Sequence, residues 1–177
     1  GAFSQIVTGG ENSKFGVPHY DIVKAYRLAK ESGVKKFGIQ CMTGSGVQDP
    51  AYYPKLIKEI LKTVELLKDE LDINMAYISL GGGYGIPYKD DEPPMDFNQV
   101  FQNVANNFHA YFDERNEQKP SLWIEPGKSV VGDTGILLTR VTGLKNSYKS
   151  FIGIDAGMET LMRPALYGAY HRIFKVG

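Results

Sequence analysis

The run Asn74-Met75-Ala76-Tyr77-Ile78-Ser79-Leu80, followed by Gly81-Gly82-Gly83-Tyr84-Gly85, decides how the rest of the chain is read. Its first part reads as a short strand, and three consecutive glycines then break it. Upstream, Leu56, Ile57, Ile60, Leu61, Val64, Leu67 and Leu71 recur at helical spacing, so residues 51–71 predict a long amphipathic helix leading into that strand. Downstream, Asp96 stands where a cap belongs, before a helix with Val100, Phe101, Val104, Phe108 and Phe112 on its buried face. Helix, strand, glycine loop and helix make one βα repeat.

Further out the repeat recurs. Residues 18–32 open with Pro18, carry Ile22, Val23, Tyr26, Leu28 and Ala29 at helical spacing, and end at Gly33. Residues 36–42 then predict a strand, and so do residues 121–125, which Pro126-Gly127 stops. Repeated βα units argue for parallel strands with helices packed outside them. Past Gly127 the pattern changes. Residues 135–144 and 151–155 predict strands with no long helix between them. A boundary is therefore expected near Val131, with an α/β region over 1–130 and the start of a β-rich domain over 131–177. Three parallel strands cannot close on themselves, so the α/β region is expected to be part of a (β/α)8 TIM-like barrel.

Charge narrows the function classes. Lys and Arg total 20, as do Asp and Glu, so no net field draws nucleic acid or an anionic membrane. No run of five or six like charges occurs, and aromatics do not interleave with basic residues. Cys41 is the only cysteine, which rules out an internal disulfide. It falls within a predicted strand rather than at a helix N-terminus. Residues 1–8 show no leader pattern, and no stretch approaches the roughly 20 apolar residues of a membrane span. A cytoplasmic protein is the expectation.

Each predicted parallel strand runs into an unusual loop: Thr43-Gly44-Ser45-Gly46, then Gly81-Gly82-Gly83, then Glu125-Pro126-Gly127-Lys128. In a βα barrel these loops open on one face, where active sites lie. The triple glycine suits close approach of backbone N–H groups to an anion, or simply a tight turn. It is neither a Walker loop nor a dinucleotide fingerprint. Ser45 suits a hydroxyl donor to the same anion, or a turn serine. Glu125, read as the last residue of an apolar strand, would be rigid and partly desolvated. It suits a pyridinium nitrogen, or a structural ion pair. Arg163 and Tyr167, four apart, suit one carboxylate or phosphate ligand; a solvated or subunit-interface arginine is the competing reading. His19, His109 and His171 are scattered and predict no metal site. No nucleophile elbow is present.

Taken in order, Ser13-Lys14-Phe15-Gly16, the loop Gly81 to Pro87, Glu125-Pro126-Gly127-Lys128, Asp155-Ala156-Gly157-Met158 and Arg163-Pro164-Ala165-Leu166-Tyr167 resemble the diaminopimelate decarboxylase family. That family lies within the fold-type III pyridoxal-phosphate-dependent amino-acid decarboxylases, which share the alanine-racemase barrel. The resemblance covers nearly all of the chain, and the last motif, continuing to Ala169-Tyr170-His171, is the most specific. It implies pyridoxal 5'-phosphate as cofactor, an amino acid as substrate, a homodimer, and the conversion of meso-diaminopimelate to L-lysine in lysine biosynthesis. By position, Gly81, Gly82 and Gly83 would bind the phosphate and Glu125 the pyridine nitrogen. Ser45, Gly127, Lys128 and Tyr167 would line the cofactor, with Lys128, Arg163 and Tyr167 reaching substrate.

Two positions depart from the family pattern: Met42 replaces a usual histidine and Lys128 a usual arginine. The resemblance also implies a Schiff-base lysine in an earlier strand, and no residue of this chain matches it. Lys24 lies in a predicted helix with the wrong spacing from Tyr20. The chain is therefore expected to be a piece of a longer polypeptide, with no catalytic residue of its own. Three alternatives are carried forward: a non-catalytic relative that binds a protein or ligand, a decarboxylase for ornithine- or arginine-type substrates, and an unrelated barrel enzyme acting on a phosphorylated metabolite.

Overall fold

The computed structural model describes residues 13–176; residues 1–8, expected to lack a leader, lie outside the described residues. The chain divides into two compact units, one running to Ile86 and resuming over Pro94–Val130, the other combining Pro87–Pro93 with the residues from Val131 onward.

In the first unit a short turn of 3-10 helix at His19–Asp21 leads into α1 (Ile22–Glu31), followed by β1 (Phe37–Gln40), α2 (Tyr52–Leu71), β2 (Met75–Ser79), α3 (Phe97–Glu114) and β3 (Ser121–Trp123). The strands form a parallel sheet in the order β1-β2-β3. The expected cap is in place: the Asp96 carboxylate accepts from Gln99 N at 3.1 Å. Apolar faces decide the packing. Ile57, Leu67 and Val64 of α2, Val100, Val104 and Phe108 of α3 and Ile78 of β2 share one core, with Ile39 and Leu122 against it.

Strand alternation then fixes what faces the other way. Gly38 pairs with Tyr77, Gln40 with Ser79, Tyr77 with Ser121, and Ser79 with Trp123. This second face carries the Tyr77 and Trp123 rings stacked at 4.5 Å. It also brings Gln40 and Ser79 side by side at the C-terminal end of the sheet.

Two strands end earlier than the sequence pattern predicts. β1 stops at Gln40, so Cys41 lies just past it, and β3 stops at Trp123, so Glu125 lies in the following loop. The cause is Gly81, whose φ of +64° turns β2 out of the sheet and ends regular pairing. Single bonds persist past the end of β2 at Ser79: Leu80 N donates to Trp123 O at 3.0 Å and Glu125 N to Gly81 O at 2.9 Å. A short helix α4 (Lys128–Val131) closes this part of the chain.

The second unit holds an antiparallel hairpin of β4 (Val141–Asn146) and β5 (Ser150–Ile154), then a short helix α5 (Arg163–Tyr167). Residues 135–140, expected in a strand, are outside one, because pairing begins only at Val141 opposite Ile154. Beyond that pair the Asp155 carboxylate accepts from Thr139 Oγ1 at 2.6 Å and Arg140 N at 2.8 Å, which tie down the open end of the hairpin. The Thr139 hydroxyl, then the Arg140 amide, lower the Asp155 pKa.

Arg163 organises the rest of this unit. Its Nη1 donates to His171 Nε2 at 3.0 Å, and its guanidinium lies 5.1 Å from the centre of the Tyr88 ring. Arg172 pairs with Asp90 at 3.0 Å and donates to Tyr88 O at 3.3 Å. Burial, then the charge of Arg163, lower the His171 pKa. With the folded value below the unfolded one, His171 contributes stability that is fully present above about pH 6.5 and is lost as pH falls through the folded value. An NMR titration of His171 should show a midpoint below about 6.5 that rises in Arg163→Gln. A midpoint at the free-histidine value would contradict the contact.

Candidate functional site

Loops after all three parallel strands meet in one cavity of about 360 Å³ within the first unit. Of the residues singled out from the sequence, Ser45, Gly82, Gly83, Glu125, Gly127 and Lys128 line it, and Met42 lies among them. Gly81 does not line it but braces it from behind. Arg163 and Tyr167 belong to the second unit, on α5.

The loops are knitted together by backbone bonds. Val47 N donates to Gly83 O at 2.9 Å and Gly85 N to Val47 O at 2.8 Å. Beneath them Tyr53, fully buried, stacks on Tyr84 at 4.2 Å and donates its hydroxyl to Gly82 O at 3.2 Å. Burial pushes both phenols well above their ordinary pKa, so Tyr53 stays a neutral donor.

This packing explains why glycine occupies all three positions. A Cβ at Gly81 would lie 2.2 Å from Cys41 O, at Gly82 2.5 Å from Glu125 O, and at Gly83 2.1 Å from Gly44 O. The glycine loop is gripped on both sides by its neighbours. Among the described residues, the N–H groups of Gly82 and Gly83 have no hydrogen-bond acceptor, whereas Gly81 N donates to Ser79 Oγ at 3.1 Å. The Ser45 hydroxyl and the Lys128 ammonium likewise have no hydrogen-bond or ion-pair partner among the described residues.

Glu125 corrects the sequence reading in one respect. Within this chain it is solvent-exposed rather than partly desolvated, lying in the loop beyond β3. Its rigidity comes from neutral donors instead. Ser79 Oγ donates to Oε1 at 2.7 Å, and Gln40 Nε2 lies 3.4 Å from Oε2. Among the described residues no Lys, Arg or His pairs with Glu125, so a structural ion pair is not what holds it. Cys41 is half-buried and burial raises its thiol pKa, which does not suit a nucleophile.

Sequence reasoning missed Ser79 and Gln40. The available signal was period two: Ser79 is a buried polar residue in an apolar strand, and Gln40 is its cross-strand neighbour.

The donor set has a definite chemistry. Two free N–H groups, a hydroxyl and an ammonium suit an anion such as phosphate. A carboxylate without a cationic partner suits a protonated nitrogen. Pyridoxal phosphate carries both groups, and the residues present fit it.

Comparison with known proteins agrees with this geometry. Residues 2–132 match the family model described as pyridoxal-dependent decarboxylase, pyridoxal binding domain. Diaminopimelate decarboxylase of Methanothermobacter thermautotrophicus is 37% identical over 173 residues, covering 98% of this chain and 40% of that protein. The crystal structure of diaminopimelate decarboxylase from M. jannaschii superposes with a TM-score of 0.84 at 34% identity, over 93% of this chain and 38% of the other. That of the Helicobacter pylori enzyme complexed with L-lysine gives 0.82 at 27% identity, over 96% and 41%. The chain thus spans about 40% of the length of the curated relatives it matches. It belongs to the pyridoxal-dependent decarboxylase family, and its residues 2–132 match within the model of that family's pyridoxal-binding domain.

Proposed function

We propose that the full-length protein is a pyridoxal-phosphate-dependent carboxy-lyase that converts meso-diaminopimelate to L-lysine. The observation that carries this reading is one cavity that brings together two glycine N–H groups, Ser45, Lys128 and a carboxylate, which among the described residues have no acceptor, ion-pair or cationic partner of their own. The choice of substrate is supported by relatives named diaminopimelate decarboxylase and by a similar structure in co-complex with L-lysine.

When bound, the cofactor supplies an electron sink for the pair left on the substrate α-carbon as carbon dioxide departs. The chain's own residues bind and orient. Gly82 and Gly83 donate N–H groups to the phosphate, Gly81 holds their turn in place, and Ser45 adds a hydroxyl. Glu125 accepts the proton-bearing ring nitrogen and holds its charge. Gly127 and Lys128 line the cavity, where Gly127 would leave room for the cofactor and Lys128 would supply a positive charge to phosphate or substrate. Arg163 and Tyr167, on α5 of the second unit, are read as substrate contacts. A homodimer, a cytoplasmic location, and a second unit that opens a β-rich domain complete the reading. Among the described residues no helix is long and apolar enough to cross a membrane.

The test uses the full-length protein. Borohydride reduction with pyridoxal phosphate and peptide mapping should find a modified lysine. Carbon dioxide release should be fastest from meso-diaminopimelate. Faster release from ornithine or arginine would reassign the substrate. Cofactor binding with no release from any of the three would point to a non-catalytic relative.

A further inference from the structure

The buried hydroxyl of Ser79 has a directed place in the site. Ser79 is 1% exposed, and its hydroxyl makes two hydrogen bonds among the described residues. Gly81 N–H can only donate, so Ser79 Oγ is the acceptor in that contact at 3.1 Å. The hydroxyl hydrogen then has one acceptor in reach, Glu125 Oε1 at 2.7 Å. Every proton in the chain Gly81 N–H, Ser79 O–H, Glu125 Oε1 therefore points toward the carboxylate. A proton placed on Oε1 would strand a buried hydroxyl hydrogen, a costly arrangement. Oε1 is held as an acceptor.

The same residue closes the loop from its other side, since Gly81 O accepts from Glu125 N at 2.9 Å. Glu125 is thus joined to Gly81 twice, once through its own backbone and once through Ser79. The glycine turn and the carboxylate move as one body. Gln40, at 3.4 Å from Oε2, is a looser and exposed second support.

We infer that Ser79 is a positioning residue that locks the glycine turn to Glu125 and keeps that carboxylate an acceptor aimed into the cavity. This rests on the reading that Glu125 faces the ring nitrogen of pyridoxal phosphate. Ser79 itself lies on β2 and acts through its hydrogen bonds to Glu125 and Gly81.

The experiment follows the ring nitrogen by 15N NMR in full-length protein saturated with 15N-labelled pyridoxal phosphate. In Ser79→Ala the pH at which that nitrogen loses its proton should fall, in the same direction as in Glu125→Gln but by less. Turnover should drop about 10- to 100-fold with KM nearly unchanged, the range seen when the outer partner of a metal ligand is removed. Ser79→Thr, which keeps the hydroxyl, should restore both. A residue that only supports the strand would weaken cofactor binding and lower Tm, yet leave the saturated ring titration in place. That result in Ser79→Ala, with Glu125→Gln still shifting the titration, overturns the positioning role alone. No shift in Glu125→Gln removes the Glu125 reading and this inference with it. Should Ser79→Ala not fold, Ser79→Cys keeps nearly the same volume with a poor donor, and the same two outcomes decide.

Discussion

Glu125→Gln lowers kcat of the full-length, cofactor-loaded protein by about 100- to 1000-fold, the loss typical of removing one electrostatic contact to the reacting system. KM for the amino acid stays within about threefold, because the lost interaction strengthens only as charge develops. The substitution is nearly isosteric, and a glutamine oxygen still accepts from Ser79, so packing is preserved while the charge is lost. That charge is available because Ser79 and Gln40 are neutral donors and no cation among the described residues competes for it. A carboxylate neutralised by a lysine would lose much less on replacement. Steady-state kinetics on the two proteins decide the matter; equal turnover removes Glu125 from the cofactor's ring nitrogen.

Most of the first unit was legible because its elements are strongly periodic. The α2 face from Leu56 to Leu71 and the Asp96 cap of α3 are properties of single segments, and each is found where the pattern places it. The ends of strands were less legible, since they depend on a neighbour: β1 and β3 lose regular pairing where Gly81 turns β2 away. The hairpin in the second unit starts at Val141 for the same kind of reason, as β5 offers no partner for residues 135–140. The site divides along the same line. Glycines, Ser45 and Glu125 stand out as residue types in loops, whereas Ser79 and Gln40 gain meaning only from cross-strand register. The place of Glu125 in a loop was illegible too, since it depends on where β3 ends.

The second large effect concerns the loop itself. Gly83→Ala should destabilise the full-length protein by about 3 kcal/mol or more, from two costs that add. The first is backbone: Gly83 has φ +90°, where a residue with a Cβ costs of order 1–3 kcal/mol. The second is steric, since the new Cβ would lie 2.1 Å from Gly44 O. That atom is backbone and cannot swing aside like the tip of a flexible side chain. Nor is the loop free to retreat, because Gly83 O is bound by Val47 N and Val47 O by Gly85 N. Relief requires breaking those bonds, which moves the Gly82 and Gly83 N–H groups and weakens phosphate binding along with stability. Gly127→Ala is the matched control: it lines the same cavity, but nothing lies within 4 Å of its added Cβ, so its stability should change by less than about 1 kcal/mol. Urea unfolding of the cofactor-free proteins measures both. If Gly83→Ala and Gly127→Ala unfold at the same urea concentration, the loops are not packed as tightly as these distances require, and the glycine run reverts to an ordinary turn.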